Sequence, residues 1–147
     1  MSKTKQKQRG EKVLEATNIT HSFGELDVLD GLSVSLRRGE VCALVRPNGS
    51  GKTTLMRILA GLLTPDDGEV ETDAGDAART VGYLPQQPSF RGGFTAGESL
   101  RFYARLLSDE VSEGYVEDAL EAVGLSEARE RNVSGLSGGM TRLLGVA

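Results

Sequence analysis

One nine-residue stretch constrains the fold more than any other: Arg46-Pro47-Asn48-Gly49-Ser50-Gly51-Lys52-Thr53-Thr54. Ahead of it, Val41-Cys42-Ala43-Leu44-Val45 is a continuous apolar run, as expected of a strand covered on both faces. Behind it, Leu55, Ile58, Leu59 and Leu62 recur at helical spacing and predict a helix over about 52–63. A strand that passes through a glycine-rich loop into a helix is the context of a phosphate-binding loop. Gly49 and Gly51 let the backbone curl so that successive N–H groups, from Asn48 through Ser50 to Thr54, face one anion. The helix N-terminus adds partial positive charge. Lys52 would reach the outer phosphates as a compact charge, and the Thr53 hydroxyl would hold Mg²⁺ together with phosphate oxygens. Lys52 is the sole lysine beyond residue 12, every other basic residue there being arginine. A position that needs a point charge rather than a planar fork explains the exception.

The loop departs from the pattern Gly-x-x-x-x-Gly-Lys-Ser/Thr at its first position, where Arg46 replaces glycine. Pro47 biases residue 46 toward extended backbone, which arginine adopts, so the loop path can survive. A large side chain at its mouth is expected to crowd the phosphates and weaken nucleotide binding.

Composition excludes several other classes. The 19 glycines among 147 residues follow no three-residue period, so collagen is out. A single cysteine, Cys42, rules out a disulfide scaffold or a multi-cysteine metal site, and it reads as a small core residue. No apolar run reaches the ~18–20 residues of a bilayer span, and the start lacks the apolar stretch of a secretory signal. A single globular unit inside the cell is therefore expected. Residues 1–12 hold five basic groups and one acid, and read as a disordered basic tail. The remainder carries 12 basic and 20 acidic residues, so no nucleic-acid partner is expected.

Along the chain, residues 13–23, 32–36, 69–72 and 80–84 read as strands and Arg37–Glu40 as a turn. Thr95 and Glu98 fit a capping box opening a helix with Leu100, Tyr103 and Leu107 on one face. A second helix over about 112–123 turns Val116, Ala119, Leu120 and Val123 inward, with Gly124 at its C-terminal cap. His21, the single histidine, carries no role in this reading.

With Leu136-Ser137-Gly138-Gly139-Met140 added, the chain resembles the ATP-binding subunit of ABC transporters, collinearly over about 13–147. The loop at 46–54 looks like that family's Walker A motif with its first glycine replaced, and LSGGM is similar to its signature, in a form common among exporters. Gln86 falls where the family keeps its Q-loop glutamine, with Gln87 leaving the register open by one. Phe23, ahead of Gly24, matches the aromatic on which adenine stacks; an ordinary core phenylalanine is the alternative. Leu62–Val70 looks like the family's exit from the Walker A helix.

The resemblance implies an α/β P-loop NTPase fold with a β-rich N-terminal part and a helical subdomain at about 94–134, incomplete at the C-terminus. It implies ATP and Mg²⁺ as cofactors, with Thr53 and Gln86 near the metal. Ser137, Gly138, Gly139 and Met140 would meet the γ-phosphate of a second ATP-binding subunit in a head-to-tail dimer. A transmembrane permease subunit would dock on the helical region at about 94–123 and hold the chain at the inner face of the cell membrane.

Hydrolysis also needs a carboxylate for Mg²⁺ and a group that orients water. The family supplies both from four apolar residues followed by Asp-Glu, and no such run occurs in the 147 residues. Ser108-Asp109-Glu110 follows only two leucines. The chain is therefore expected to be the front part of a larger domain and not to hydrolyse ATP by itself. A soluble ABC ATPase without a transport role, or a shortened non-catalytic fragment, are the alternatives.

Overall fold

The computed structural model describes residues 10–73, 81–107 and 111–147. The fold divides into two units, Met1–Tyr83 and Leu84–Ala147.

The first unit is built on a long hairpin. Strand β1, Lys12–Phe23, pairs antiparallel with β2, Leu26–Arg37, across a turn at Gly24-Glu25. Strand β3, Asp67–Thr72, pairs antiparallel with the other edge of β1, giving the order β2-β1-β3. β1 buries Leu14 and Ala16, then Ile19 and His21. Strict alternation would have exposed Ile19. The register shift around Asn18, whose φ is 52°, turns the later residues inward. Its backbone N–H donates to Ser33 Oγ at 2.9 Å, which holds the irregularity in place.

Helix α1, Lys52–Leu59, lays Leu55 and Ile58 against Ala16, Ile19 and Leu29 of the hairpin. It ends earlier than periodicity predicts. The Leu62 N–H donates to the Arg57 carbonyl and the Gly61 N–H to that of Ile58, the paired bonds of a Schellman motif. The chain therefore leaves the helical path before Leu62, which is exposed, and Leu63 packs against the core in its place.

Several sequence expectations fail here. The run Val41–Val45 forms no strand, with Val41 98% exposed and Val45 88% exposed. Cys42 is exposed with it rather than in a core. An apolar run becomes a two-sided strand only when neighbouring strands supply hydrogen-bond partners. Among the described residues none pairs with this one. Residues 81–84 likewise carry no strand, and Thr80 lies outside the described residues, as do Ser108-Asp109-Glu110. Lys12, drawn as the end of the basic tail, instead opens β1; residues 1–9 lie outside the described residues.

The second unit is helical: α2 at Ala96–Leu107, α3 at Glu113–Ala122, two short 3₁₀ turns at Ser126–Ala128 and Val133–Gly135, and α4 at Gly138–Val146. Its core gathers Ala96, Leu100, Val116, Leu120, Val133 and Leu144. Ala119 and Val123 pack against it, as the α3 spacing predicts. On α2 the predicted face splits. Leu100 is buried, but Tyr103 meets Phe90 and Phe102 edge-on and Leu107 is 91% exposed.

The capping box at the head of α2 forms as its spacing predicts. Glu98 Oε2 accepts from the Thr95 N–H at 2.8 Å, and Thr95 Oγ1 accepts from the Glu98 N–H at 3.2 Å. Residues 129–133 lie across the same helix end. The Ala96 N–H donates to the Arg131 carbonyl and the Gly97 N–H to that of Arg129, both at 3.0 Å, while the Val133 N–H donates to the Phe94 carbonyl. A helix start otherwise leaves its first donors unpaired. Thr95→Ala is expected to lower stability by about 1 kcal/mol, read as a reduced urea midpoint at unchanged slope.

Candidate functional site

The loop of residues 46–54 is positioned by two glycines and the sheet beneath it. Gly49 has φ 79° and Gly51 φ 81°, both left-handed. Gly51 is the N-cap of α1 and lies directly on β2. A Cβ there would sit 2.6 Å from Val28 Cγ1 and 2.8 Å from the Val28 carbonyl oxygen. The loop thus approaches the hairpin as closely as a residue without a side chain permits.

No side chain caps α1, and no acidic residue stands in its first turn. The helix start presents backbone donors with no carboxylate to repel an anion. Lys52 folds back over the loop, its Nζ donating to the carbonyls of Arg46 and Pro47, each at 2.6 Å. Ser50 Oγ donates to the Pro47 carbonyl at 2.7 Å. The ammonium is therefore held on the loop's own backbone, at the site where Arg46 enters. Thr53 is exposed at the head of the helix. Among the described residues no group of three or more His, Cys, Asp or Glu side chains gathers that could cage a metal ion.

Phe23 closes β1 at the hairpin turn and is 55% exposed, so it is not an ordinary core residue. Its ring meets His21 edge-on, with centroids 4.8 Å apart and planes at 87°. The sequence reading passed over His21. Its buried position on β1 depends on the strand irregularity, and simple alternation does not reveal it.

In the second unit Ser137 is the N-cap of α4. Its Oγ accepts from the Met140 N–H at 3.3 Å, and its carbonyl accepts from the Thr141 N–H at 2.8 Å and Thr141 Oγ1 at 2.9 Å. Gly138 and Gly139 form the first turn, with open space around Gly138. Met140 is partly buried against the core. Gln86, Gln87 and Pro88 line a cavity of about 500 Å³ together with Gly138, Gly139, Thr141 and Arg142. Gln86 and the signature glycines therefore share one cavity, a juxtaposition that their separation of 52 residues hid in the sequence. Both glutamines line it, so the choice between them stays open.

Comparison with known proteins bears on these two loops. The sequence profile of the family described as ABC transporter matches residues 29–147. The chain is 38% identical over 140 residues to an uncharacterised ABC transporter ATP-binding protein, YxlF, of Bacillus subtilis, covering 92% of this chain and 47% of that one. It is 38% identical over 144 residues to the Nod factor export ATP-binding protein I of Ralstonia nicotianae, covering 92% and 45%. A solved ATP-binding subunit of an ABC transporter superposes with a TM-score of 0.78 at 25% identity, over 91% of this chain and 60% of that one. The chain spans about half the length of the curated relatives it matches.

Proposed function

The chain belongs to the ABC transporter family, with the P-loop NTPase fold of its ATP-binding subunits, and from that premise we propose that residues 46–54 bind the triphosphate of ATP. The observation that carries this reading is the loop itself. An uncapped helix start, a first turn without acids and a lysine held over the loop by carbonyls at 2.6 Å make a donor set suited to a polyphosphate. Lys52 would exchange its two carbonyls for phosphate oxygens. Thr53 would share Mg²⁺ with the phosphates, and the ion would neutralise charge on the outer phosphate oxygens. The half-exposed ring of Phe23 would face adenine.

In the larger assembly, ATP binding and hydrolysis would be coupled to transport through a transmembrane permease subunit. Ser137, Gly138 and Gly139 would meet the nucleotide of a second ATP-binding subunit. The exposed side chains of α2, Phe102, Tyr103, Leu106 and Leu107, favour the helical unit as the permease-facing surface. Among the described residues no helix is long and apolar enough to cross a membrane, so attachment to the inner membrane face would run through that partner.

Titration calorimetry with Mg-ATP tests the reading, and absence of saturable binding overturns it. The same assay tests Arg46. Its carbonyl is already engaged by Lys52, so the side chain is the part in excess. Arg46→Gly is expected to tighten ATP binding by up to about tenfold, equivalent to about 1.4 kcal/mol. An unchanged dissociation constant would show that Arg46 does not crowd the phosphates.

A further inference from the structure

His21 occupies an inward position of β1 that the strand pattern reserves for an apolar residue. The residue is 7% exposed, and neither ring nitrogen has a hydrogen-bond partner. Buried polar atoms are nearly always satisfied, so an imidazole left this way requires an explanation other than filling space. Its surroundings offer one. Nδ1 stands 3.3 Å from Oδ1 of Asp66, a residue of the turn that leads into β3. Asp66 is itself pinned to β1 on both sides of His21. Its backbone N–H donates to the Thr20 carbonyl at 2.9 Å, and its Oδ2 accepts from the Ser22 N–H at 2.7 Å. Ser22 Oγ in turn donates to Asp27 Oδ1 of β2 at 2.9 Å. The carboxylate is thus fixed relative to the imidazole, and the imidazole lies edge-on to Phe23.

We infer that His21 and Asp66 are a positioning pair for Phe23, fixing the orientation of its ring and thereby setting the chain's preference for a purine nucleoside triphosphate over a bare triphosphate. The inference rests on the reading of Phe23 as the adenine-facing ring. Phe23 ends a strand beside a two-residue turn, and its exposed ring is free to swing unless something packs against it. Edge-to-face contact prescribes an angle between two rings, where an aliphatic neighbour would prescribe none. The Asp66 carboxylate, 3.3 Å from Nδ1, backs the imidazole that makes this contact. Asp66 is fixed by one bond through its backbone N–H and one through its carboxylate, so the wall behind the ring does not move.

Two probes separate positioning from folding: Mg-ATP, and inorganic tripolyphosphate with Mg²⁺, which engages the loop but has no base to stack. Both are titrated into the full chain and its variants. Stacking of a base on an aromatic ring is worth ~1–3 kcal/mol, so the parent chain is expected to prefer ATP by about tenfold. His21→Leu and the half-exposed Asp66→Asn are each expected to reduce that preference about threefold or more while leaving tripolyphosphate affinity unchanged. His21→Leu added to Phe23→Ala is expected to cause no further loss. Equal weakening of both probes in either variant would assign His21 and Asp66 to stability alone and overturn the inference. So would an unchanged preference in both variants when Phe23→Ala abolishes it, a result that leaves the adenine-facing reading intact. An unchanged preference in Phe23→Ala itself would overturn that reading and the positioning pair with it.

Discussion

Gly51→Ala is expected to destabilise the first unit by about 2–5 kcal/mol. Two costs add at this position. The left-handed backbone, φ 81°, disfavours any L-residue by roughly 1–2 kcal/mol. The new Cβ would also lie 2.8 Å from the Val28 carbonyl oxygen. That oxygen belongs to a paired strand and cannot rotate away as a side chain would. Gly49 supplies the control, because it shares the left-handed conformation yet has open space where its Cβ would go. Gly49→Ala should therefore show the conformational cost alone, and the difference between the two variants isolates the steric one. Thermal melts followed by circular dichroism read both. Equal losses in the two variants would mean that α1 shifts freely over β2.

Lys52→Ala is expected to weaken Mg-ATP binding by about 10- to 100-fold, because hydrogen bonds to charged groups contribute about 1.5–3 kcal/mol. Stability should change little, since the two carbonyls that Lys52 engages belong to exposed residues and water can replace it. Lys52→Arg should recover only part of the affinity. A planar guanidinium does not converge on one point as the ammonium does. Calorimetric titration of the three proteins provides the comparison. An affinity within twofold of the parent for Lys52→Ala would remove the lysine from the phosphate site.

The features legible in the sequence are those whose causes are local. The capping box at Thr95 and Glu98 spans one helical turn, and both of its hydrogen bonds form. The start of α1 at Lys52 follows from Gly51 and the apolar spacing behind it. The inward face of α3 follows from its period. The failures have distant causes. Val41–Val45 reads as a buried strand, yet burial depends on neighbours that no local pattern supplies. Tyr103 and Leu107 keep helical spacing with Leu100, but aromatic partners and solvent take them instead of the core. His21 and Asp66 lie 45 residues apart and meet only because β3 returns to β1. Of the candidate site, the loop from Arg46 into α1 was readable as a unit. The cavity that joins Gln86 to Gly138 and Gly139 was not, because it depends on the packing of a loop against a helix far along the chain.

The strap at residues 129–133 also bears on the order in which the second unit can form during synthesis. The Ala96 and Gly97 N–H groups find their acceptors on Arg131 and Arg129, more than thirty residues later. While the ribosome is still making α3, the start of α2 has its capping box but not these bonds. Its first turn can be completed only after the strap has emerged. Such a late, non-local closure slows folding relative to a helix that satisfies itself. The nascent helix would meanwhile leave Ala96 and Leu100, core residues of the finished unit, uncovered, and the chain is most prone to association in that interval.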